Sequence, residues 1–144
     1  MSDVLALSPH ADIDIRDAWP EDQAWVASTF REQLVRGQPA ASYASVDRIV
    51  DRVLDSNRTH VLMATRSRRL IGWLAYVEMP RVRALLFCYV RKDDRGAGVA
   101  RMLADRAWPR RAGQWVHAGL RGGTTAKLLE RHRDALEMDL GELL

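Results

Sequence analysis

The segment with the clearest chemical potential is Arg95-Gly96-Ala97-Gly98-Val99-Ala100, which joins an apolar run to a helical pattern. Glycines let the backbone approach a ligand closely and adopt conformations that a side chain would forbid. The first amide groups of the helix after Gly98 have no partner within that helix, and the helix dipole adds partial positive charge there. Arg95 and Arg101 flank the loop and can add charge-assisted hydrogen bonds. The segment therefore predicts a site for a phosphate group.

A purely structural turn is the alternative, because a lone Gly-x-Gly pair often does no more than join a strand to a helix. Two other phosphate-binding motifs do not fit this segment. It lacks the Gly-Lys-Ser/Thr ending of a P-loop, and it lacks the third glycine and the ribose-binding acid of the Rossmann arrangement.

The elements around this loop predict one mixed α/β domain over residues 1–144. The run from Ala84 to Val90 is nearly all apolar, which is typical of a strand covered on both faces at the centre of a sheet. The other elements follow from hydrophobic period and from proline, glycine and capping signals. The predicted strands are Asp12–Arg16, His60–Thr65, Leu70–Glu78, Gln114–Ala118 and Ala135–Leu140, and the predicted helices are Pro20–Gly37, Ser45 to about Leu54, Val99–Ala107 and Thr124 or Thr125 to about Arg133.

The composition is that of a folded, single-domain protein. The chain has 144 residues, of which 47% are hydrophobic, and no apolar run approaches the ~20 residues of a membrane helix. Residues Met1 to Asp14 include acids and no basic stretch, so no signal peptide is expected. The single Cys88 excludes an internal disulfide and a thiolate-rich metal site. A cytoplasmic protein is the simplest interpretation.

The net charge is +3, and all of the 22 basic residues except Lys92 and Lys127 are arginines. Arginine suits phosphate because its planar fork binds oxygens in pairs. The basic residues are spread along the chain, whereas a nucleic-acid-binding surface normally gathers them in a stripe or a tail. An acidic cofactor explains the charge as well as a nucleic acid does, and a nucleic-acid partner is not favoured.

The loop and the order of elements together resemble the GNAT superfamily of N-acetyltransferases. The residues from Arg95 to Ala100 fit its Gln/Arg-x-x-Gly-x-Gly/Ala signature at every specified position, and the resemblance covers roughly residues 12 to 133. It implies a mixed, mainly antiparallel central sheet flanked by helices, with acetyl-CoA as the cofactor. The pyrophosphate of coenzyme A would rest on the amides of Gly96, Ala97, Gly98, Val99 and Ala100. The pantetheine arm would pair with the backbone near Cys88, Tyr89 and Val90.

By the same resemblance, an amine of a small molecule, peptide or protein attacks the thioester directly while a backbone amide near Val90 polarises the carbonyl. Such a reaction needs a base for the ammonium group. The strand that ends at Val90 carries no acid, and Glu78 on the neighbouring strand is the nearest carboxylate, although a solvated strand end is the alternative for it. His117 lies on a short strand beside the expected cleft, and an imidazole ring suits proton transfer near neutral pH. A structural histidine is the alternative there.

The acid that protonates the leaving thiolate is less well indicated. If Ala126 matches the small residue of the family's last helix, the usual tyrosine position falls on Glu130. Tyr89 is another donor, with core packing as its alternative. Cys88 has no nucleophile pattern around it and is expected to be buried. A coenzyme A-binding module without turnover, or less plausibly a nucleic-acid-binding or nucleic-acid-modifying protein, therefore stands beside the enzyme.

The end of the chain predicts a shortened C-terminus. After Arg133 only 11 residues remain, which is room for one strand where the family usually has a two-strand hairpin. Leu136, Met138 and Leu140 alternate with acidic residues at strand period. One face of such a strand would need covering, which predicts a two-fold homodimer. A short edge strand folded back on its own core is the alternative.

Overall fold

The computed structural model describes residues 12–37, 43–80, 82–108, 115–120, 122–132 and 135–144. Six strands form one sheet, and their order across the sheet is their order along the chain. The strands are β1 (Ile13–Asp17), β2 (Thr59–Arg66), β3 (Arg69–Met79), β4 (Val82–Val90), β5 (Trp115–His117) and β6 (Leu136–Glu137). Neighbours from β1 to β4 are antiparallel, whereas β5 is parallel to β4 and β6 is parallel to β5. The predicted mixed, mainly antiparallel sheet is confirmed.

Helices cover both faces of this sheet. They are α1 (Gln23–Gly37), preceded by a 3₁₀ turn (Pro20–Asp22), α2 (Tyr43–Asp55), α3 (Val99–Ala107), α4 (Gly123–Glu130) and α5 (Leu140–Leu143). One core cluster contains Phe30 of α1 and Val50 of α2, and the other contains Leu103 of α3 and Leu128 of α4. Residues 84 to 88 of β4 are all buried between these layers, as the apolar run predicts. No helix in the described part of the chain is long and apolar enough to cross a membrane.

Most predicted elements are confirmed to within two residues. Helix α2 begins at Tyr43 rather than Ser45, and α4 ends at Glu130 rather than near Arg133. The predicted start of β5 at Gln114 lies outside the described residues.

The predicted strand Ala135–Leu140 is wrong over most of its length, because only Leu136 and Glu137 are in a strand. The carboxylate of Asp139 accepts a hydrogen bond from the Gly141 amide at 2.7 Å, so this residue caps the short helix α5 instead of continuing the strand. Leu143 in that helix is fully buried in the chain's own core. The end of the chain therefore folds back on its own domain, and Leu136 stays 55% exposed.

A column of stacked rings fastens the three-residue strand β5 to its neighbours. Trp115 at the start of β5 stacks on Trp108 with ring centroids 4.1 Å apart, and His132 stacks on its other side at 3.7 Å. Trp108 also meets Tyr76 of β3 with the two rings tilted by 47°, and Tyr76 stacks on His60 of β2. Each aromatic pair of this kind contributes about 0.5–1.5 kcal/mol. Ring stacking thus supports a strand that has few ladder hydrogen bonds of its own.

Candidate active site

The candidate site begins where β4 and β5 separate. The two strands pair from Arg83 and Trp115 up to Leu85 and His117, and the Ala118 amide donates to the Leu85 carbonyl at 3.2 Å. From Phe87 to Val90, β4 has no β5 partner among the described residues. The sheet is therefore open on one side of the second half of β4, which we call the open edge of β4.

A β-bulge lies at the start of this open edge. Tyr76 of β3 pairs with Leu85, and the preceding Ala75 pairs with Phe87, so Leu86 is an extra residue in β4. Bulges increase the local twist, re-aim the strand and are over-represented next to active sites. The bend therefore falls one residue beyond the last pair between β4 and β5.

The glycine loop lies at the far end of the open edge. Gly96 and Gly98 both adopt left-handed conformations, with φ angles of +87° and +81°. A Cβ on Gly96 would meet nothing within 4 Å, so lack of space does not explain this glycine. The positive φ angle does. Gly98 caps α3, and its carbonyl accepts from the Met102 amide at 3.0 Å. In the described part of the chain, the amides from Gly96 to Arg101 make no hydrogen bond, which leaves them available to an anion.

Arg95 links the loop to the end of β4. Its Nε donates to the Val90 carbonyl at 2.9 Å, and the residue as a whole is exposed. A guanidinium group has further N–H donors in a fixed fork. The bond to Val90 therefore anchors the side chain beside the loop and leaves donors for a second acceptor.

The charge around the loop is positive. Asp94 is paired with Arg66 at 2.9 Å. Several basic side chains near the loop have no ion pair within the described residues. Asp93, next to Asp94, also has no ion pair there. These basic residues are Arg91, Lys92, Arg95 and Arg101. A phosphate at the loop would meet a surplus of positive charge.

A side chain from α4 occupies part of the open edge of β4. The Cys88 amide donates to the Thr125 hydroxyl at 2.9 Å, and the same hydroxyl donates to the Cys88 carbonyl at 3.1 Å. Thr125 is only 2% exposed. The start of α4 approaches β4 so closely that a Cβ on Gly122 would collide with the ring of Phe87. Helix α4 thus lies directly against the strand.

Cys88 and Tyr89 point to different faces of the sheet. Cys88 is buried as predicted, and burial raises the pKa of its thiol above the ordinary range, so it is not a poised nucleophile. Tyr89 is half-buried and meets Trp25 of α1 edge-to-face, with ring centroids 5.9 Å apart. The phenol therefore belongs to the face covered by α1 and α2, where it is accessible from the side opposite to α3 and α4.

Glu78 is not brought near the loop. It lies at the exposed end of β3, opposite Arg83 of β4, and pairs with that guanidinium at 2.6 Å. Arg83 precedes Cys88 by five residues, so Glu78 lies about 17 Å from the Cys88 backbone at ~3.3 Å per residue. Glu78 therefore lies at a solvated strand end, which is the alternative to its role as a base, and it also forms an ion pair there.

His117 lies where β4 and β5 separate, since it is the last residue of β5 and pairs with Leu85. Its Nδ1 accepts the Gly119 amide proton at 3.1 Å. In the neutral ring this places the proton on Nε2. The ring has no free acceptor in that tautomer, so His117 must lose the bond to Gly119 before it can accept a proton.

The register of α4 differs from the one that the resemblance assumed. Ala126 is exposed, and the residue that faces β4 is Thr125. The position for a tyrosine therefore moves from the exposed Glu130 to Leu129, and neither residue is a tyrosine. Sequence reasoning missed Thr125, although its spacing of three residues from the buried Leu128 is an available signal.

A cavity of about 330 Å³ lies at the opposite end of the sheet from the glycine loop. It is lined by the end of β1, the start of α1 and the start of β2, including Trp19, Gln23 and His60. The described residues contain no group of three or more side chains placed to hold a metal ion.

Comparison with known proteins bears on the fold. No protein-family model and no curated protein matches the sequence. A proposed acetyl transferase from Pyrococcus furiosus is similar in structure, with a TM-score of 0.62 at 18% identity over 83% of this chain and 90% of that one. A possible acetyltransferase from Clostridium difficile 630 gives 0.60 at 16% identity over 88% and 92%. A proposed acetyltransferase of the GNAT family from Desulfovibrio desulfuricans gives 0.53 at 19% identity over 83% and 82%. The chain therefore has the fold of the GNAT acetyltransferases, as the sequence predicts.

Proposed function

We propose that this protein is an acetyl-CoA-dependent N-acetyltransferase, in which a primary amine attacks the thioester directly. The observation that carries the proposal is the row of amides from Gly96 to Arg101, which have no hydrogen-bond partner among the described residues and lie at the end of the open edge of β4. An anion site beside a strand edge that no other strand covers matches a ligand with a phosphate group and an extended amide-bearing arm. The fold supports the same assignment.

The residues present fit the phosphates of coenzyme A. The amides of Gly96, Ala97, Gly98, Val99 and Ala100 would hold the pyrophosphate. Arg95 and Arg101 would add charge-assisted hydrogen bonds. Acetyl-CoA, when bound, supplies the activated acetyl group.

The chain's own groups must then move two protons and orient the amine. Tyr89 is the proposed proton donor to the leaving thiolate, because it lies on the open half of β4 and faces the α1 and α2 layer. The amine would approach from that face, beside Trp25. His117 is the proposed base, on the condition that its bond to Gly119 opens, and Glu78 could take part only through a chain of water molecules.

A coenzyme A-binding module with weak or no turnover is the second candidate function. It is favoured by the ion pair of Glu78 and by the hydrogen-bonded Nδ1 of His117, which leave both proposed bases engaged. A cytoplasmic location and an amine acceptor on a small molecule or a peptide belong to the proposal, and nucleic acid and membrane partners do not.

Two measurements separate these functions. Calorimetry with coenzyme A tests the binding site, and release of free thiol from acetyl-CoA in the presence of a panel of primary amines tests turnover. The enzyme predicts both signals. Binding without thiol release would support the coenzyme A-binding module over the enzyme. The absence of binding would refute both candidate functions.

A further inference from the structure

The open edge of β4 already carries a side-chain contact from α4. Alternate residues of a strand direct their amide and carbonyl groups to opposite sides. Cys88 and Val90 both direct theirs away from β3, since Thr125 bonds to both groups of Cys88 and Arg95 bonds to the carbonyl of Val90. These are the positions at which an extended ligand would pair with the strand.

We propose that the Thr125 hydroxyl is a stand-in for a secondary amide of the coenzyme A arm, and that cofactor binding displaces it from Cys88. This inference rests on the proposed function. The chemistry matches because Cys88 presents one donor and one acceptor, and a secondary amide offers one acceptor and one donor. A threonine hydroxyl also offers both, which lets one side chain satisfy both groups of Cys88.

The burial of this contact explains why a stand-in is needed. Cys88 is buried and Thr125 is 2% exposed, so water does not readily replace the hydroxyl. Buried backbone N–H and C=O groups without partners are rare because they are costly. A threonine can withdraw its hydroxyl from Cys88 by rotation about one side-chain torsion. The consequence is that cofactor binding exchanges two hydrogen bonds and gains less than it would on a bare strand.

Removal of the hydroxyl should therefore strengthen cofactor binding. We expect Thr125→Ala to bind coenzyme A about tenfold more tightly than the wild type, which corresponds to ~1.4 kcal/mol. Thr125→Ser keeps the hydroxyl and should stay close to the wild type. Thr124→Ala is the matched control, because the side chain of this neighbouring threonine makes no hydrogen bond within the described residues.

The ligand comparison isolates the arm from the phosphates. Calorimetry is run with coenzyme A and with 3′-phosphoadenosine 5′-diphosphate, which keeps the pyrophosphate and lacks the arm. The gain in Thr125→Ala should appear with coenzyme A alone. If the fragment binds the wild type and Thr125→Ala gives no gain for coenzyme A, this inference fails and the proposed function stands. If neither ligand binds any variant, both fail.

A measurement on the unmodified protein covers the case in which Thr125→Ala does not fold. The Thr125 methyl resonance should shift when coenzyme A is added and should stay in place with the fragment. An unchanged resonance in the presence of bound coenzyme A would overturn the displacement.

Discussion

Arg95 offers the sharpest test of the proposed cofactor site. Its guanidinium is anchored to the Val90 carbonyl by Nε, 2.9 Å away, beside the unpaired loop amides. We expect Arg95→Ala to raise the Michaelis constant for acetyl-CoA, because the substitution removes a charge-assisted contact to phosphate. Such contacts contribute about 1.5–3 kcal/mol, which corresponds to roughly a 10- to 150-fold change in affinity.

The same geometry predicts a graded series. Arg95→Lys keeps the charge and loses the planar fork, so its constant should lie between those of the wild type and Arg95→Ala. The residue is exposed, so loss of its hydrogen bond to Val90 should lower the free energy of unfolding by no more than about 0.5–1.5 kcal/mol. A folding defect therefore does not explain a large kinetic effect.

The assay is thiol release from acetyl-CoA at several ionic strengths with one amine that supports turnover, or calorimetry with coenzyme A if none does. Salt screens an exposed charge, so the wild-type constant should rise with salt more steeply than that of Arg95→Ala. Arg58→Ala is the matched control, since this exposed arginine in the turn before β2 lies at the opposite end of the sheet. Equal constants for Arg95→Ala and Arg58→Ala would refute the reasoning and leave Arg95 a surface role.

The remaining predictions address the loop, the core and the assembly. Gly98→Trp should abolish coenzyme A binding by calorimetry, while Gly98→Ala, which shares the backbone strain of about 1–2 kcal/mol, should retain part of it; equal affinities would place the pyrophosphate elsewhere. Burial raises the pKa of Asp22, but hydrogen bonds from Arg16 and from the Trp19 amide outweigh it and hold that pKa below its ordinary value. Asp22→Asn should therefore cost about 1–3 kcal/mol in denaturant unfolding at neutral pH, a difference that shrinks as the pH falls below about 3.9; a constant difference would contradict this. The burial of Leu143 in its own core weakens one reason for a homodimer, yet β6 and the exposed Leu136 still offer an edge. Light scattering should give a mass of twice 16.3 kDa, and Leu136→Asp should lower that mass. A monomer mass for the wild type would refute the homodimer.

The sequence was informative where one residue pattern determines one local structure. The apolar run of β4 requires cover on both faces, and Gly96 and Gly98 mark backbone that only glycine adopts readily. The predicted strand at the end of the chain is wrong because Asp139 fits the alternation of a strand and is also suited to cap a helix, and here it caps α5. The contact between Thr125 and Cys88 joins residues 37 apart, so no local pattern contains it.

The candidate base shows a different limit. Glu78 lies on β3, which is next to the strand that leads into the glycine loop. The β3–β4 hairpin nevertheless places Glu78 opposite Arg83, at the other end of the sheet. Two residues on adjacent strands can therefore still lie far apart along the strand direction. His117 lies at the separation of β4 and β5, and its tautomer depends on the Gly119 amide, which only the folded turn supplies.

The ring column beside β5 gives the protein an optical signal of its own. The indoles of Trp108 and Trp115 lie 4.1 Å apart and within 5° of parallel, close enough for their electronic transitions to couple. The near-ultraviolet circular dichroism of the folded chain should therefore contain a component from this pair, and Trp115→Phe should remove it. Because Trp115 belongs to the strand that borders the opening, any ligand that shifts β5 would change this component, and binding could be followed without a label.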